Sequence, residues 1–310
     1  MELLHIKKDI PFMRYAHVTA VISLLTFVAA VFFLYTRGLN FAVDFTGGTV
    51  MQVHYDQSVN LSDIRTELAH SKLDLRDVVV QTIGNADDVL IRMRSKAGTS
   101  SSKIGDEVMG VLSQSNSGIH LRSVEYVGPE VGKELANNGA LALLVVSVGI
   151  MLYLTMRFEW RFAVSGIIAN LHDIVIILGM FAAFQWEFSL PVLAGVLAVL
   201  GYSVNESVIV FDRIRENFRK MRTASVPEVI NNAITRTMSR TVITHAMTQT
   251  MVCAMLFFGG PPLHYFALAL TIGILFGIYS SVLVASPLVL WMGVSRSDLV
   301  KSSGRKEGTA

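Results

Sequence analysis

A single cysteine in 310 residues, Cys253, excludes an intrachain disulfide. Flanked by Met251, Val252, Ala254 and Met255, it reads as a small buried hydrophobe. Charge is scarce too: 16% of residues are Asp, Glu, Lys or Arg, against 52% hydrophobic. With a positive mean hydropathy, that balance excludes an ordinary soluble domain and puts the chain in a membrane. A formal net charge of +2 offers no electrostatic footprint for nucleic acid. HExxH, CxxC and nucleophile-elbow patterns are missing, so no metal centre, no cofactor and no enzymatic activity are expected. Gly128-Pro-Glu-Val-Gly-Lys133 imitates a phosphate loop, but it is one residue short and Glu134 stands where Ser or Thr is required. The apolar run from His17 to Tyr35 lacks a small-x-small cleavage site and is too long for a signal-peptide core, so it reads as an uncleaved first span.

What the chain has in quantity is apolar length. Stretches 17–36, 134–156, 162–184, 189–211, 240–258 and 264–292 each approach or exceed the roughly 20 residues that cross a bilayer. Loop charge orients them. Arg157 and Arg161 flank one connection, and 212–240 holds Arg213, Arg215, Arg219, Lys220, Arg222, Arg236 and Arg240, whereas 185–188 and 259–263 carry neither Lys nor Arg. The positive-inside rule then puts both termini in the cytoplasm. The expected organisation is a cytoplasmic start and first helix (1–36), an extracytoplasmic domain (37–133), a five-helix bundle (134–294) with a cytoplasmic loop at 212–239, and a cytoplasmic tail (295–310).

Within 37–133, Met51, Val53 and Tyr55 alternate with Val50, Gln52 and His54, and Val89, Ile91 and Met93 with Leu90, Arg92 and Arg94. Both are strand patterns. Val78 to Val80 and Ile119 to Val127 supply two more strands, and helices are predicted over 61–71 and 102–114. The order β-α-β-β-α-β predicts a small ferredoxin-like α+β domain. Beyond the fourth span, Asp212 to Arg222 has Ile214, Phe218 and Met221 at helical spacing and reads as an amphipathic helix on the membrane surface. Pro227 opens a short helix that runs towards Thr237.

Polar residues inside the spans carry the functional signal. Asn205-Glu206 interrupts an apolar run from Leu190 to Phe211, and an ionisable side chain there marks an ion or proton pathway by default. Tyr202, Glu206 and Val210 share one helix face, with Asn205 beside it. One reading of Glu206 is a carboxyl that gains and loses a proton; the other is a structural or interface-reaching glutamate. Arg240 at the start of the fifth span is the candidate cation for it, or else an ordinary interfacial anchor. Asn170, His172 and Asp173 lie in the third span, with Asp173 midway and a polar interior facing Glu206 expected, the alternative being a His–Asp bond that only fixes packing. His245, Thr248 and Gln249 would extend the same file or merely bond between helices. Gly273-Ile-Leu-Phe-Gly277 is a GxxxG packing motif.

Four motifs in order, Phe41-Ala-Val-Asp-Phe-Thr-Gly-Gly-Thr49, Val127-Gly-Pro-Glu-Val-Gly132, Arg157-Phe-Glu-Trp-Arg161 and Gly201-Tyr-Ser-Val-Asn-Glu206 with Phe211-Asp-Arg-Ile-Arg-Glu-Asn217, resemble the SecD/SecF family of protein-export membrane proteins, in the RND transporter superfamily. The resemblance runs from about residue 12 to 292. It implies a six-span inner-membrane protein with a periplasmic domain between its first two helices, acting with a SecD-like paralogue, the SecYEG channel and a YajC-type accessory protein. It further implies that translocating preprotein is moved at the expense of the proton gradient. On the same basis Arg240, in its Ser-Arg-Thr context, is the family's essential arginine. Where the family usually has Asp, this chain has Glu206, which keeps the carboxyl and adds a methylene. Asp44 opens the periplasmic domain, where Gly47 and Gly48 permit backbone turns. The remaining readings are an RND-type small-molecule exporter half, for which one small domain offers little room, and a passive assembly subunit of the translocase.

Overall fold

A computed structural model describes residues 8–70, 78–83, 85–94, 101–115 and 118–296. Among the described residues, six helices are long and apolar enough to cross a membrane. The first, α1 (Ala16–Thr36), is followed by a short strand β1 (Asn40–Phe41) and a single turn α2 (Val43–Thr46). The sheet domain then comprises β2 (Gly48–Tyr55), α3 (Leu61–His70), β3 (Val79–Ile83), β4 (Asn85–Arg94), α4 (Ser101–Ser115) and β5 (Ile119–Val127).

The sheet has the order β3-β4-β2-β5, with every neighbouring pair antiparallel. Strand β4 sits between β3 and β2, so the two β-α-β units are split, as a ferredoxin-like domain requires. The alternation read from the sequence sets the two faces. Met51, Val53 and Ile91 point at Ile64 and Leu68 of α3 and Val108 and Leu112 of α4, forming a closed apolar core. Tyr55 lies in that core, and burial pushes its phenol up to about 12, helped by nearby Glu67.

The bundle is built from α5 (Pro129–Arg157), α6 (Trp160–Phe184), β6 (Glu187–Phe188), α7 (Leu190–Lys220), α8 (Val226–Phe258), α9 (Gly260–Ser280), a π-helical turn (Ser281–Ala285) and α10 (Ser286–Trp291). The last three form one span, Leu263–Trp291. Helices α6 and α7 and this last span bury half or more of their apolar stretch, whereas α1, α5 and α8 bury less than a fifth of theirs. Gly273 makes α9 fit: a Cβ there would come within 2.2 Å of Val199 on α7.

Several boundaries differ from expectation. The segment after the fourth span is not a separate surface helix, because α7 runs unbroken to Lys220 and buries Ile214 and Phe218 against Val229, Ile230 and Ile234 of α8. The short helix opened by Pro227 is the start of α8, whose first turn is closed by Glu228 Oε2 accepting from Ser225 N at 2.8 Å. Helix α5 starts at Pro129, since the phosphate-loop mimic is its N-terminal turn. The 185–188 connection, which carries no Lys or Arg, contains β6, which pairs in parallel with β1. Cys253 is half-buried rather than buried, with Gln249 Nε2 donating to its sulfur at 3.3 Å.

Candidate functional site

Adjacent rows on α7 present different groups to different neighbours. Ser203 and Ser207 are four apart, as are Tyr202 and Glu206, so each pair shares a face one residue round from the other. The serine row meets α6 and the last span. Asp173 of α6 is fully buried at 0% exposure, and its Oδ2 accepts from Ser203 Oγ at 2.5 Å and Ser280 Oγ at 2.7 Å. Below Ser280 the helix widens into its π turn, where Ser281 and Ser207 share a hydroxyl bond of 2.9 Å and Ser286 Oγ donates to Ser281 O at 3.1 Å. His172 Nδ1 is 3.5 Å from Asp173 Oδ1, too long for a strong bond. The imidazole instead stacks between Phe27 and Tyr279. Asn170 Nδ2 reaches Leu200 O at 3.4 Å.

The other row meets α8. Glu206 is 4% exposed, and Thr241 Oγ1 donates to its Oε1 at 2.5 Å. His245 Nδ1 donates to Thr241 O at 2.7 Å. That ring stands edge-on to Tyr202 at 4.9 Å. Among the described residues, Tyr202 OH, His245 Nε2 and, one turn further along α8, Gln249 Oε1 are buried without a partner, as is His172 Nε2 beside Asp173. Gln249 Nε2 does donate to Thr271 Oγ1 at 3.0 Å, and Thr248 bonds only back to its own helix.

The structure therefore does not gather the expected residues into one network. Asp173 and Glu206 each have their own hydroxyl donors and, among the described residues, no direct contact with each other. Arg240 is exposed and makes no ion pair with Glu206, Asn205 is exposed beside it, and Arg236 is exposed one turn earlier. Thr241, Ser203 and Ser280 were not singled out from the sequence. The signal existed: Thr237, Thr241 and His245 form an i, i+4 row on α8 that matches the Tyr202 and Glu206 row on α7.

A second constellation lies where the sheet domain joins the bundle. Asp44 in α2 places Oδ2 2.9 Å from Leu190 N and so caps α7 from outside the helix. Gly47 has φ 72°, and a Cβ there would lie 2.7 Å from Pro129 Cα. A Cβ on Gly132 would lie 2.8 Å from Gly47 N, and one on Gly48 would lie 2.4 Å from Met93 O. The two glycine-bearing motifs are thus halves of one backbone-on-backbone seat. Beside it Arg92 of β4 forms an ion pair with Glu187 of β6. Burial pushes the Glu187 carboxyl above the ordinary carboxylate range, and Arg92 opposes that. At the opposite end of the bundle Arg157 binds Asp212 at 2.7 Å, and Arg296 donates to carbonyls of Phe218, Met221 and Arg222, closing the C-terminus of α7.

Residues 108–295 match the family model for the C-terminal region of the protein export membrane proteins SecD and SecF, and residues 32–59 match the SecD/SecF GG motif. A protein translocase subunit SecF of Vibrio alginolyticus is 42% identical over 99% of this chain and 97% of its own length. The one from Escherichia coli O157:H7 is 37% identical over 99% and 95%. Among solved structures, SecDF of Thermus thermophilus, described as a translocon-associated membrane protein, superposes with a TM-score of 0.84 at 33% identity over 94% of this chain. SecDF in a super-membrane-facing form gives a TM-score of 0.69 at 34% identity. The chain spans about two fifths of each SecDF chain, 39% and 40%.

Proposed function

The chain belongs to the SecD/SecF family of protein-export membrane proteins, and from that premise we propose that it is an accessory subunit of the Sec translocase that promotes protein export with the proton gradient. Its partners are a SecD-like paralogue, the SecYEG channel, a YajC-type accessory protein and the translocating preprotein. In the inner membrane its termini face the cytoplasm and its sheet domain the periplasm. The observation that carries the reading is Glu206, a carboxyl buried in a span with one hydroxyl donor and unpartnered Tyr202 and His245 groups around it. A group so placed is poised to exchange a proton rather than to hold helices together. Arg240 on α8 and Asn205 on α7 are exposed, which is costly against lipid. About three fifths of each SecDF chain lies outside the part this chain spans, and a paralogous bundle covering these residues would bring its own groups to Arg240 and Glu206. Asp173 is the second proton-bearing candidate, held more tightly.

In the cycle we infer, protonation and release at Glu206 shift α7 against α8, and the sheet domain moves in response. Support for two arrangements comes from the two SecDF structures, which match at nearly equal identity but TM-scores of 0.84 and 0.69. One charge crossing 100 mV is worth about 2.3 kcal/mol, enough to bias a two-state equilibrium about fiftyfold.

Glu206→Gln tests the carrier role, since amide and acid are near-isosteric and only the acid titrates. It is expected to abolish the gradient-dependent part of preprotein export into membrane vesicles while leaving insertion and partner binding intact, and Glu206→Asp is expected to keep most of it. Normal gradient-dependent export by Glu206→Gln would sink the assignment. Orientation is tested separately in a Cys253→Ala background: a cysteine at Asp87 should react with an impermeant thiol reagent added to intact spheroplasts, and one at Thr223 should not. The reverse labelling would overturn the topology.

A further inference from the structure

Helix α7 is a continuous shaft, and its sheet-side end is held by a residue that belongs to another element. Sixteen residues separate Leu190 from Glu206, about 24 Å at 1.5 Å per residue. At that far end the bond to Leu190 N comes from Asp44, three residues after β1 and four before β2. No side chain of α7's own N-cap residue, Ser189, closes the helix. The same turn buries Phe45 among Val192 and Leu193 of α7 and Phe181 of α6. Gly47 and Gly48 leave no room for any side chain between this turn, the start of α5 and the Met93 carbonyl of the domain's central sheet. A displacement of α7 along its axis therefore pulls on β2 through about four residues of closely seated backbone. Flexible loop is absent from that connection.

Resting on the reading of Glu206 as the proton carrier, we propose that the Asp44 cap and its glycine seat are the joint through which α7 drives the sheet domain, with Asp44 a positioning residue that transmits movement and takes no part in proton transfer. The Arg92–Glu187 pair and the β1–β6 pairing lie beside this joint and hold the domain to the connection before α7. They fix where the domain sits; the Asp44 bond, backed by Phe45 against Val192 and Leu193, grips the end of the moving helix.

The test uses the full chain with its SecD-like partner in proteoliposomes, in a Cys253→Ala background, with spin labels read by pulsed electron–electron resonance. One pair, at Ser58 and Tyr35, reports the sheet domain against α1; a second pair, at Arg219 and Met156, reports the far end of α7 against α5. All four sites are exposed. In the otherwise unaltered protein, Glu206→Gln is expected to shift both distance distributions. With Asp44→Ala, the α7 pair should still shift on Glu206→Gln and the domain pair should lose more than half of its shift. Asp44→Asn, whose amide oxygen is as good a cap, should restore it. A merely structural role for Asp44 would not give this split. Asp44→Ser, shorter and unable to reach Leu190, should behave as Asp44→Ala and serves if the alanine variant does not insert. A full domain shift in Asp44→Ala or Asp44→Ser overturns the joint while leaving Glu206 as carrier. Failure of Glu206→Gln to shift either pair in the unaltered background sinks the carrier reading and the joint with it.

Discussion

The two adjacent rows of α7 are a controlled contrast, since they share a helix, a depth and an apolar setting. On the Ser203 and Ser207 row every hydroxyl is matched and Asp173 receives donors from two other helices, with His172 Nε2 next to it buried and unmatched. On the Tyr202 and Glu206 row one threonine reaches the carboxyl, and two buried polar atoms beside it, Tyr202 OH and His245 Nε2, go unmatched. Burial alone does not separate the rows, since Asp173 and Glu206 are both sealed from solvent at 0% and 4%. Satisfaction does. A fully bonded buried network rigidifies packing and penalises any rearrangement, while a partly bonded one costs free energy at rest and loses less on moving. The packing agrees: α6 and the last span enclose the matched row, whereas α8 buries only a small share of its apolar stretch. The matched row reads as the frame and the unmatched row as the part that changes state.

The largest expected effect comes from breaking the frame. Asp173→Ala strands the Ser203 and Ser280 hydroxyls in a buried site, at about 1–3 kcal/mol for each group left unpaired. Ser280 has a fallback in Gly277 O at 3.2 Å, which lowers the sum. A loss of about 3 kcal/mol is expected, read as a lower midpoint in thermal unfolding of the purified protein and as less partner co-purified. Glu206→Gln keeps an oxygen for Thr241 and should cost under about 1 kcal/mol by the same measurement. Equal destabilisation by the two variants would break the contrast between frame and moving row.

Much of the frame was legible in the sequence because it depends on local rules. Strand alternation placed Met51, Val53 and Ile91 on the core face, apolar length gave six spans, and GxxxG marked the close approach of α9 to α7. Two errors at the charged ends of α7 and α8 share a cause. A run of Arg, Glu and Asp reads as a solvated surface helix, but Ile214 and Phe218 find Val229 and Ile230 on the neighbouring helix, and long-range packing of that kind leaves no mark on local period. The site was half legible. Asp173 and Glu206 stood out as single ionisable residues in apolar runs, whereas their donors Ser203, Ser280 and Thr241 did not, since an intramembrane hydroxyl gains meaning only from the helix opposite. The expected Glu206–Arg240 pair assumed that residues near the same end of two helices face each other; α8 is rotated so that Thr241 points inward and Arg240 outward. A rotation of about 100° per residue decides this, and sequence alone does not set it.

The smallest expected effect sharpens the contrast from the other side. Thr241→Val removes the hydroxyl that reaches Glu206 and keeps the side-chain volume and branching, so packing against α7 is unchanged while the carboxyl loses its donor. If the row is the moving part, that bond is one that the cycle makes and breaks, and deleting it shifts the balance between states by about 1 kcal/mol, the usual net worth of such a bond. The expected result is a change of roughly fivefold in the gradient-dependent export rate, with a thermal midpoint close to that of the unaltered protein. Thr241→Ser should restore the rate, since it returns the oxygen without the methyl group. Thr241→Val that unfolds as readily as Asp173→Ala would show that Thr241 belongs to the frame. An unchanged rate in Thr241→Val would show that the bond to Glu206 takes no part in the cycle, and the unmatched groups at Tyr202 and His245 would then need a structural explanation.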